Sequence, residues 1–486
     1  MTIKDLKPAL VFSIFDKINH VPRPSKKEEK IRKFLLDFAA EHGIAVRTDK
    51  VGNVVMSKPA TPGKENAPTV VMQAHMDMVC ESNNKNFDFE NEPIRTIVDG
   101  EWLRADGTTL GADNGIGMAA ALAVMVDKDL VHGPVEALFT VDEETGLTGA
   151  NNLGEGMLTG SILLNLDSED DAEIFVGCAG GVDTTCTFNY NRSFAPTDFH
   201  YFKFDISGLN GGHSGGDIHL GRANANKLLA RFLYKLSLEH EISLSEIDGG
   251  NLRNAIPRAA HAIFGVHTSH KEQIRVAFNK FAADVETEYA GIEDTVKLEL
   301  DSVDRPEYAV DSKTTCNLIE ALYSAPHGVI SMSRDIEGLV ETSTNLASVK
   351  MLPDNKILVT TSQRSSVESR KWDIARQVEA LFRLAGAEVT HGDGYPGWKP
   401  NMNSPIMHIA SEAYEELYGI RPAIKAIHAG LECGLFLQKY PNLDMVSFGP
   451  TLRDVHSPSE RMHIPAVERF WGQLTRTLEK VADLKK

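Results

Sequence analysis

Short apolar runs and amphipathic stretches alternate along the first third of the chain. Ile31, Phe34, Leu35 and Phe38 recur at helical spacing; Ser25 followed by Glu28 predicts a capping box ahead of them, and Gly43 a stop. Runs of strand length follow near 51–56, 69–74, 135–141 and 161–166, and Met118–Val126, rich in Ala and Met, predicts a buried helix between them. Strands separated by helical crossovers imply an α/β sheet covered on both faces. Sites in such sheets form at the C-terminal ends of the strands.

The pattern changes near Phe199. Tyr201–Ser207 alternates as a half-buried strand with Phe202, Phe204 and Ile206 on one face. Leu228–Leu236 reads as a helix and Arg258–His267 as a strand. Lys297–Leu300, Leu346–Lys350 and Lys356–Ser362 read as further strands and Trp372–Leu384 as a helix. The order suggests two α+β units of similar plan, inserted between halves of the first domain. Ser404–Tyr418 is then amphipathic and Leu443–Phe448 reads as a buried strand. If that strand completes the first sheet, His456 returns to residues left behind far earlier in the chain.

A length of 486 residues makes two domains the expectation. No apolar run approaches the roughly 20 residues of a spanning helix. Met1-Thr-Ile-Lys-Asp-Leu-Lys is too charged for a secretory leader, so a cytoplasmic location with no membrane partner is expected. Five scattered cysteines without a Cys-x-x-Cys pair fit reduced thiols. The net charge of −18 argues against a nucleic-acid partner, while leaving room for a substrate with a free amine or an imidazole.

Chemistry-bearing residues cluster where the predicted strands end: His75-Met-Asp77, Asp113-Asn-Gly, Asp142-Glu143-Glu144-Thr-Gly, Asp167-Ser-Glu and His456-Ser-Pro. Each alone has a plain reading, as a partly exposed histidine, a turn, a solvated pair, a helix cap or a loop. Together, imidazoles and carboxylates without thiolate suit zinc, manganese or cobalt held for hydrolysis. Asp77, two residues from His75, falls on the same side of an extended segment and can orient its ring. Adjacent side chains diverge, so Glu143 and Glu144 divide into a ligand and a general base. In the insert, Gly208–Gly216 is a glycine-rich turn carrying His213. It reads either as a flexible hairpin or as a mobile arm bringing an oxyanion donor. Asn254 and Arg364 offer further polar groups, the arginine for a substrate carboxylate. No Gly-Lys-Ser/Thr phosphate loop is present.

As a set, His75-Met-Asp77, Gly107-Thr-Thr-Leu-Gly-Ala-Asp113-Asn-Gly, Glu143-Glu144-Thr-Gly, Asp167-Ser-Glu, Gly-Gly-His213-Ser-Gly and His456-Ser-Pro resemble the co-catalytic zinc aminoacylase/carboxypeptidase family. Gly177-Cys-Ala-Gly-Gly, Asn254-Ala-Ile-Pro-Arg, Tyr395-Pro-Gly-Trp and His428-Ala-Gly-Leu-Glu-Cys-Gly-Leu-Phe look like its cytosolic branch acting on aminoacyl-histidine dipeptides.

The resemblance implies a two-domain zinc exopeptidase fold: an α/β catalytic domain over 1–197 and 390–486, with an inserted α+β lid over 198–389. It implies two zinc ions, for which manganese or cobalt substitute. His75 and Asp167 would hold one, Glu144 and His456 the other, with Asp113 bridging them. Glu143 would be the general base, Asp77 the orienter, His213 the oxyanion donor, and Asn254, Arg364 and Glu432 substrate contacts. A cis peptide at Asp113–Asn114 is also implied, as is hydrolysis of dipeptides, Xaa-His such as β-Ala-His preferred. A homodimer is compatible with the resemblance, and the long, doubled lid would let His213 act in its own chain. A deacylase or carboxypeptidase on the same frame is the alternative; a non-catalytic scaffold would be free to lose Glu143, which is present. Met76 stands where the family often has Leu, a volume-conserving change.

Overall fold

A computed structural model describes residues 2–485. The chain forms two compact units. The first comprises residues up to Cys178, 398–426 and 431 onward; the second comprises 179–397 with 427–430.

The first unit is built on an eight-stranded sheet. From one edge its strands are Ala45–Thr48, Val54–Lys58, Val135–Thr140, Val70–His75, Ile162–Asn165, Asp444–Ser447, Glu173–Cys178 and Ala423–Ile427. The four central strands, from Val135–Thr140 to Asp444–Ser447, are mutually parallel. All residues of Val70–His75 and Val135–Thr140 are buried, as expected where helices cover both faces. One covering helix, Ala112–Val126, is apolar on nearly every side and packs against Ala9–Asn19. The register pairs Gln73 with Asn165, His75 with Thr140 and Ser447 with Asn165, so the four C-terminal ends lie level. The segments bearing Asp77, Glu143 and Asp167 leave the sheet from this one edge.

The helix carrying Ile31, Leu35 and Phe38 spans Glu29–Glu41, and Gly43 follows it at φ +64°. The expected capping box does not form. Ser25 Oγ donates to Asp77 Oδ2 at 2.8 Å, and Glu28 Oε1 accepts the amides of Lys26 and Asp142. Long-range partners took both side chains, and the local signal had no way to show them.

The second unit holds a nine-stranded sheet in the order Lys297–Val303, Phe199–Ser207, Ala260–His267, Ser243–Gly249, Val340–Leu352, Lys356–Ser365, Gly180–Asn189 and Glu388–His391, with Gly328–Met332 also on Val340–Leu352. Phe202, Phe204, Phe232, Phe264 and Phe281 centre its core. The two α+β halves are fused: Asp248 pairs with Lys350 and Gly249 with Val349, and Lys350 Nζ donates to Asp248 Oδ1 at 2.7 Å. This unit begins at Ala179, ahead of the expected 198, because Gly180–Asn189 pairs residue for residue with Lys356–Ser365. Among the described residues no helix is long and apolar enough to cross a membrane.

Candidate metal centre and its supports

Five side chains from five segments of the first unit converge. His75 ends its strand fully buried; its Nε2 lies 2.9 Å from Asp113 Oδ1 and 3.4 Å from Asp167 Oδ1. His456 Nε2 lies 3.1 Å from both Asp113 Oδ2 and Glu144 Oε2. Asp113 thus offers one carboxylate oxygen to each histidine. It follows Gly111, whose φ of +66° and whose space, closed by Arg23 Nη2 at 2.4 Å from any added Cβ, both require glycine. The Asp113–Asn114 peptide is cis, as the resemblance implies.

The donor set fits divalent cations. Ligand atoms of His75, Asp113 and Glu144 lie within 4.8 Å of one another. Two donors each about 2.0–2.1 Å from a tetrahedral ion stand roughly 3.3 Å apart, and the spacings here run from 2.9 to 3.4 Å. Glu144 Oε1 and Asp167 Oδ1 are buried without a hydrogen-bond partner among the described residues. Buried carboxylate oxygens without partners are costly unless a cation takes them.

The clustered carboxylates and imidazoles shift one another's pKa values. Burial pushes Asp167 up to about 7, with His75 opposing and Asp113 and Glu144 adding to the rise. Hydrogen bonds to Asp113 and Glu144 raise His456 to about 11. Burial acts to lower His75, but Asp167 and Asp113 outweigh it and lift it well above its usual value. Asp113 itself is lowered: His456 and His75 overcome its burial.

Asp77 knits these segments together. It accepts the amides of Glu143 at 3.0 Å and Glu144 at 3.2 Å, and its Oδ1 stands 3.4 Å from His75 Nδ1. Glu143 lies beside the cluster without joining it. Burial raises its pKa well above normal; His75 opposes this, and Asp167, Glu432 and Glu144 add to it.

A second acidic group, Glu28, Asp77 and Asp142, is internally satisfied. Its carboxylates accept backbone amides and the hydroxyls of Ser25, Thr145 and Thr148.

Beneath these side chains a buried polar row crosses the parallel strands. Glu432 Oε2 accepts from Gln73 at 2.6 Å and Thr140 at 3.0 Å; Gln73 accepts from Asn165, which accepts from Ser447. Glu432, expected as a substrate contact, is 1% exposed and sits in this row, with burial lifting it to about 8.

The second unit carries the remaining candidates. Gly212–His213 pairs with Ala255–Ile256, and a Cβ on Gly212 would meet Arg222 at 2.3 Å and Asp217 at 2.6 Å. Gly212 of this turn is therefore closely packed. His213 Nδ1 accepts the amides of Gly215 at 3.2 Å and Gly216 at 3.0 Å. Burial, then Arg364, lowers the pKa of His213. The neutral ring thus carries its proton on Nε2. The Asn254 carbonyl accepts the Ser214 amide at 2.8 Å, while its residue is exposed. Arg364 is buried and donates to Tyr395 Oη at 2.8 Å. His428, buried with Nε2 2.7 Å from Ser343 Oγ, joins the same unit unforeseen.

Residues 71–480 match the model of peptidase family M20/M25/M40, and the chain belongs to that family. It is 44% identical over 480 residues to the cytosol non-specific dipeptidase of Escherichia coli K12, covering 99% of both chains. The aminoacylhistidine dipeptidase of Vibrio alginolyticus superposes with a TM-score of 0.94 at 44% identity, over 100% of this chain and 99% of that one. A tripeptidase of Staphylococcus aureus, 16% identical, shares the fold with a TM-score of 0.58 over 99% of this chain and 100% of that one.

Two supports were not apparent from sequence. Arg23, 1% exposed, donates to the carbonyls of Asp77 at 3.1 Å and Gly111 at 2.6 Å. Glu460, 2% exposed, accepts four amides of the Asp113 turn. The one available signal was position, since Glu460 follows His456 by four residues.

Proposed function

We propose that this chain is a cytoplasmic dipeptidase that holds two zinc ions and prefers dipeptides ending in histidine, β-Ala-His among them. The observation that carries the reading is the convergence of His75, Asp113, Glu144, Asp167 and His456 on a shared Asp113 carboxylate. Full-length identity of 44% to proteins named as dipeptidases supports it.

In this reading His75 and Asp167 hold one ion, Glu144 and His456 the other, and Asp113 bridges them. Bound divalent ions polarise the scissile carbonyl and acidify water; manganese or cobalt would serve in the same way. Glu143 takes the proton of the attacking water and returns it to the leaving amine. Its amide is fixed on Asp77 Oδ1, which leaves its carboxylate beside the cluster to serve as base and then as acid. Asp77 holds the ring of His75 and the start of the Glu143 helix in one frame. His213, with Nδ1 occupied, donates from Nε2 to the oxygen that becomes negative. Arg364 suits the carboxylate of the dipeptide, and Asn254 supplies a further polar contact. Glu432 is reassigned from substrate contact to support beneath the metal ligands.

A second reading, broad dipeptide specificity, is favoured by the name of the Escherichia coli relative. Measuring kcat/KM on β-Ala-His, Ala-His, Ala-Leu and N-acetyl-Ala separates them. Histidine preference requires about a tenfold advantage, some 1.4 kcal/mol, for the histidyl substrates. Comparable values across dipeptides favour the broad reading, and hydrolysis of the acylated amino acid alone would make the enzyme a deacylase.

A further inference from the structure

We propose that Glu460 is a positioning residue that pre-assembles the metal ligands, locking the turn of Asp113 to the turn of His456 before any cation arrives. The inference rests on the two-metal reading above. It concerns a residue that touches neither substrate nor metal.

Glu460 Oε2 accepts from Leu110 N at 2.7 Å and Gly111 N at 3.0 Å; Oε1 accepts from Ala112 N at 2.8 Å and Asp113 N at 3.4 Å. These amides open the helix Ala112–Val126, where N–H groups lack intrahelical partners and a negative charge is favoured. One buried carboxylate therefore satisfies an entire turn, including the backbone of the shared ligand. Burial raises its pKa, opposed by those amides.

The other end of the clasp is equally defined. Leu452 pairs with Met462 and Arg453 with Arg461, so residues 454–460 form a loop closed at its base. Within it Glu460 N donates to Ser457 O at 3.0 Å and Ser457 Oγ to Asp454 O at 2.7 Å. Arg461–His463 also pairs with Trp102–Ala105, just ahead of the Asp113 turn. His456 projects from this loop at φ +59° with its side chain 49% exposed, so little packing holds it. Its distance to Asp113 is set by the loop, and the loop is tied to the Asp113 turn through Glu460. On the opposite side Arg23 bridges the Gly111 and Asp77 carbonyls, extending the tie toward the segment of His75.

Glu460→Gln keeps the volume but offers one acceptor where there were two, and turns an NH₂ toward amides that are themselves donors. We expect the folded variant to bind its weaker zinc equivalent about 10–100-fold less tightly, in the range seen when groups that orient metal ligands are lost. Competition of the metal-free full chain against a chromophoric zinc chelator reads this directly. The zinc dependence of dipeptide hydrolysis should move to higher concentration by a similar factor, with kcat largely recovered at saturation. Leu478→Ala, in the far half of the last helix, should lower the melting temperature and leave both zinc affinities unchanged.

Hydrogen exchange on the metal-free wild-type chain supplies a test that needs no variant. The amides of Leu110–Asp113 should be protected as strongly without zinc as with it. Free exchange of those amides without zinc would overturn the proposal, since the cation would then be what forms the turn. So would a folded Glu460→Gln chain with both affinities within threefold of wild type. Failure of the wild-type chain to bind zinc at all would instead remove the two-metal reading.

Discussion

Replacing Glu143 by Gln separates the metal-binding role from the proton-transfer role with a single NH₂-for-oxygen exchange. The backbone anchor of residue 143, its amide on Asp77 Oδ1 at 3.0 Å, does not involve the side chain. The converging donor atoms belong to His75, Asp113, Glu144, Asp167 and His456. The variant should therefore retain two metals. Loss of a general base costs about 10²–10⁴-fold in turnover, or roughly 2.7–5.4 kcal/mol of barrier at 1.36 kcal/mol per decade.

The structure adds a sign for stability. Burial, and after it the charges of Asp167, Glu432 and Glu144 working against His75, disfavour ionised Glu143. Gln removes that buried charge, so the metal-free variant should melt no lower than wild type at pH 8. Elemental analysis, release of histidine from β-Ala-His and calorimetry on one preparation give all three quantities. Turnover within tenfold of wild type at full metal content would refute the role of Glu143 as base. Loss of one metal would make it a ligand.

Asp113→Ala should deplete both metals, because its two oxygens face different histidines, whereas Glu144→Ala should mainly weaken one; equal single-site losses by elemental analysis would contradict the bridge. His213→Ala should lower kcat far more than it raises KM, as expected for a donor acting on developing charge. Mixing inactive Glu143→Gln and His213→Ala chains should restore no activity if His213 serves its own chain; recovery would place it across a dimer. The metal-free chain should lose thermal stability as pH rises from about 5 to about 8. Asp167 near 7, Glu432 near 8 and His456 near 11 are all raised, so their contribution is full below the unfolded pKa and fades as pH climbs through the folded one. A melting temperature that rises over that window in the absence of metal would contradict the assignments.

The parallel strands were legible because full burial on both faces writes near-continuous apolar runs such as Val70-Val-Met-Gln-Ala-His75. Their ends located His75, Glu144 and Asp167, whereas Asp113 opens the helix Ala112–Val126 and His456 lies on a loop beyond Leu452–Arg453. What stayed hidden depends on partners distant in sequence. Nothing local in the sequence marks Arg23 or Glu460 as buried; Arg23 donates to the Gly111 carbonyl and Glu460 accepts the Gly111 amide, partners far away in the chain. Ser25 and Glu28 fit a capping pattern, yet Asp77 and Asp142 claimed them. Gly180–Asn189 alternates well enough to be a strand, but alternation does not say which sheet it joins, so the boundary was placed late. Around His213, the packing of Gly212 against Arg222 and Asp217 and of Gly215 against the His428 carbonyl is tertiary and leaves no mark in the local sequence.

The most direct test is a zinc titration of the metal-free chain, following hydrolysis of β-Ala-His at each addition. Activity should be absent without metal, rise with added zinc and level off at two equivalents per chain. A plateau at one equivalent, or hydrolysis undiminished in the metal-free chain, would contradict a two-metal dipeptidase built on Asp113.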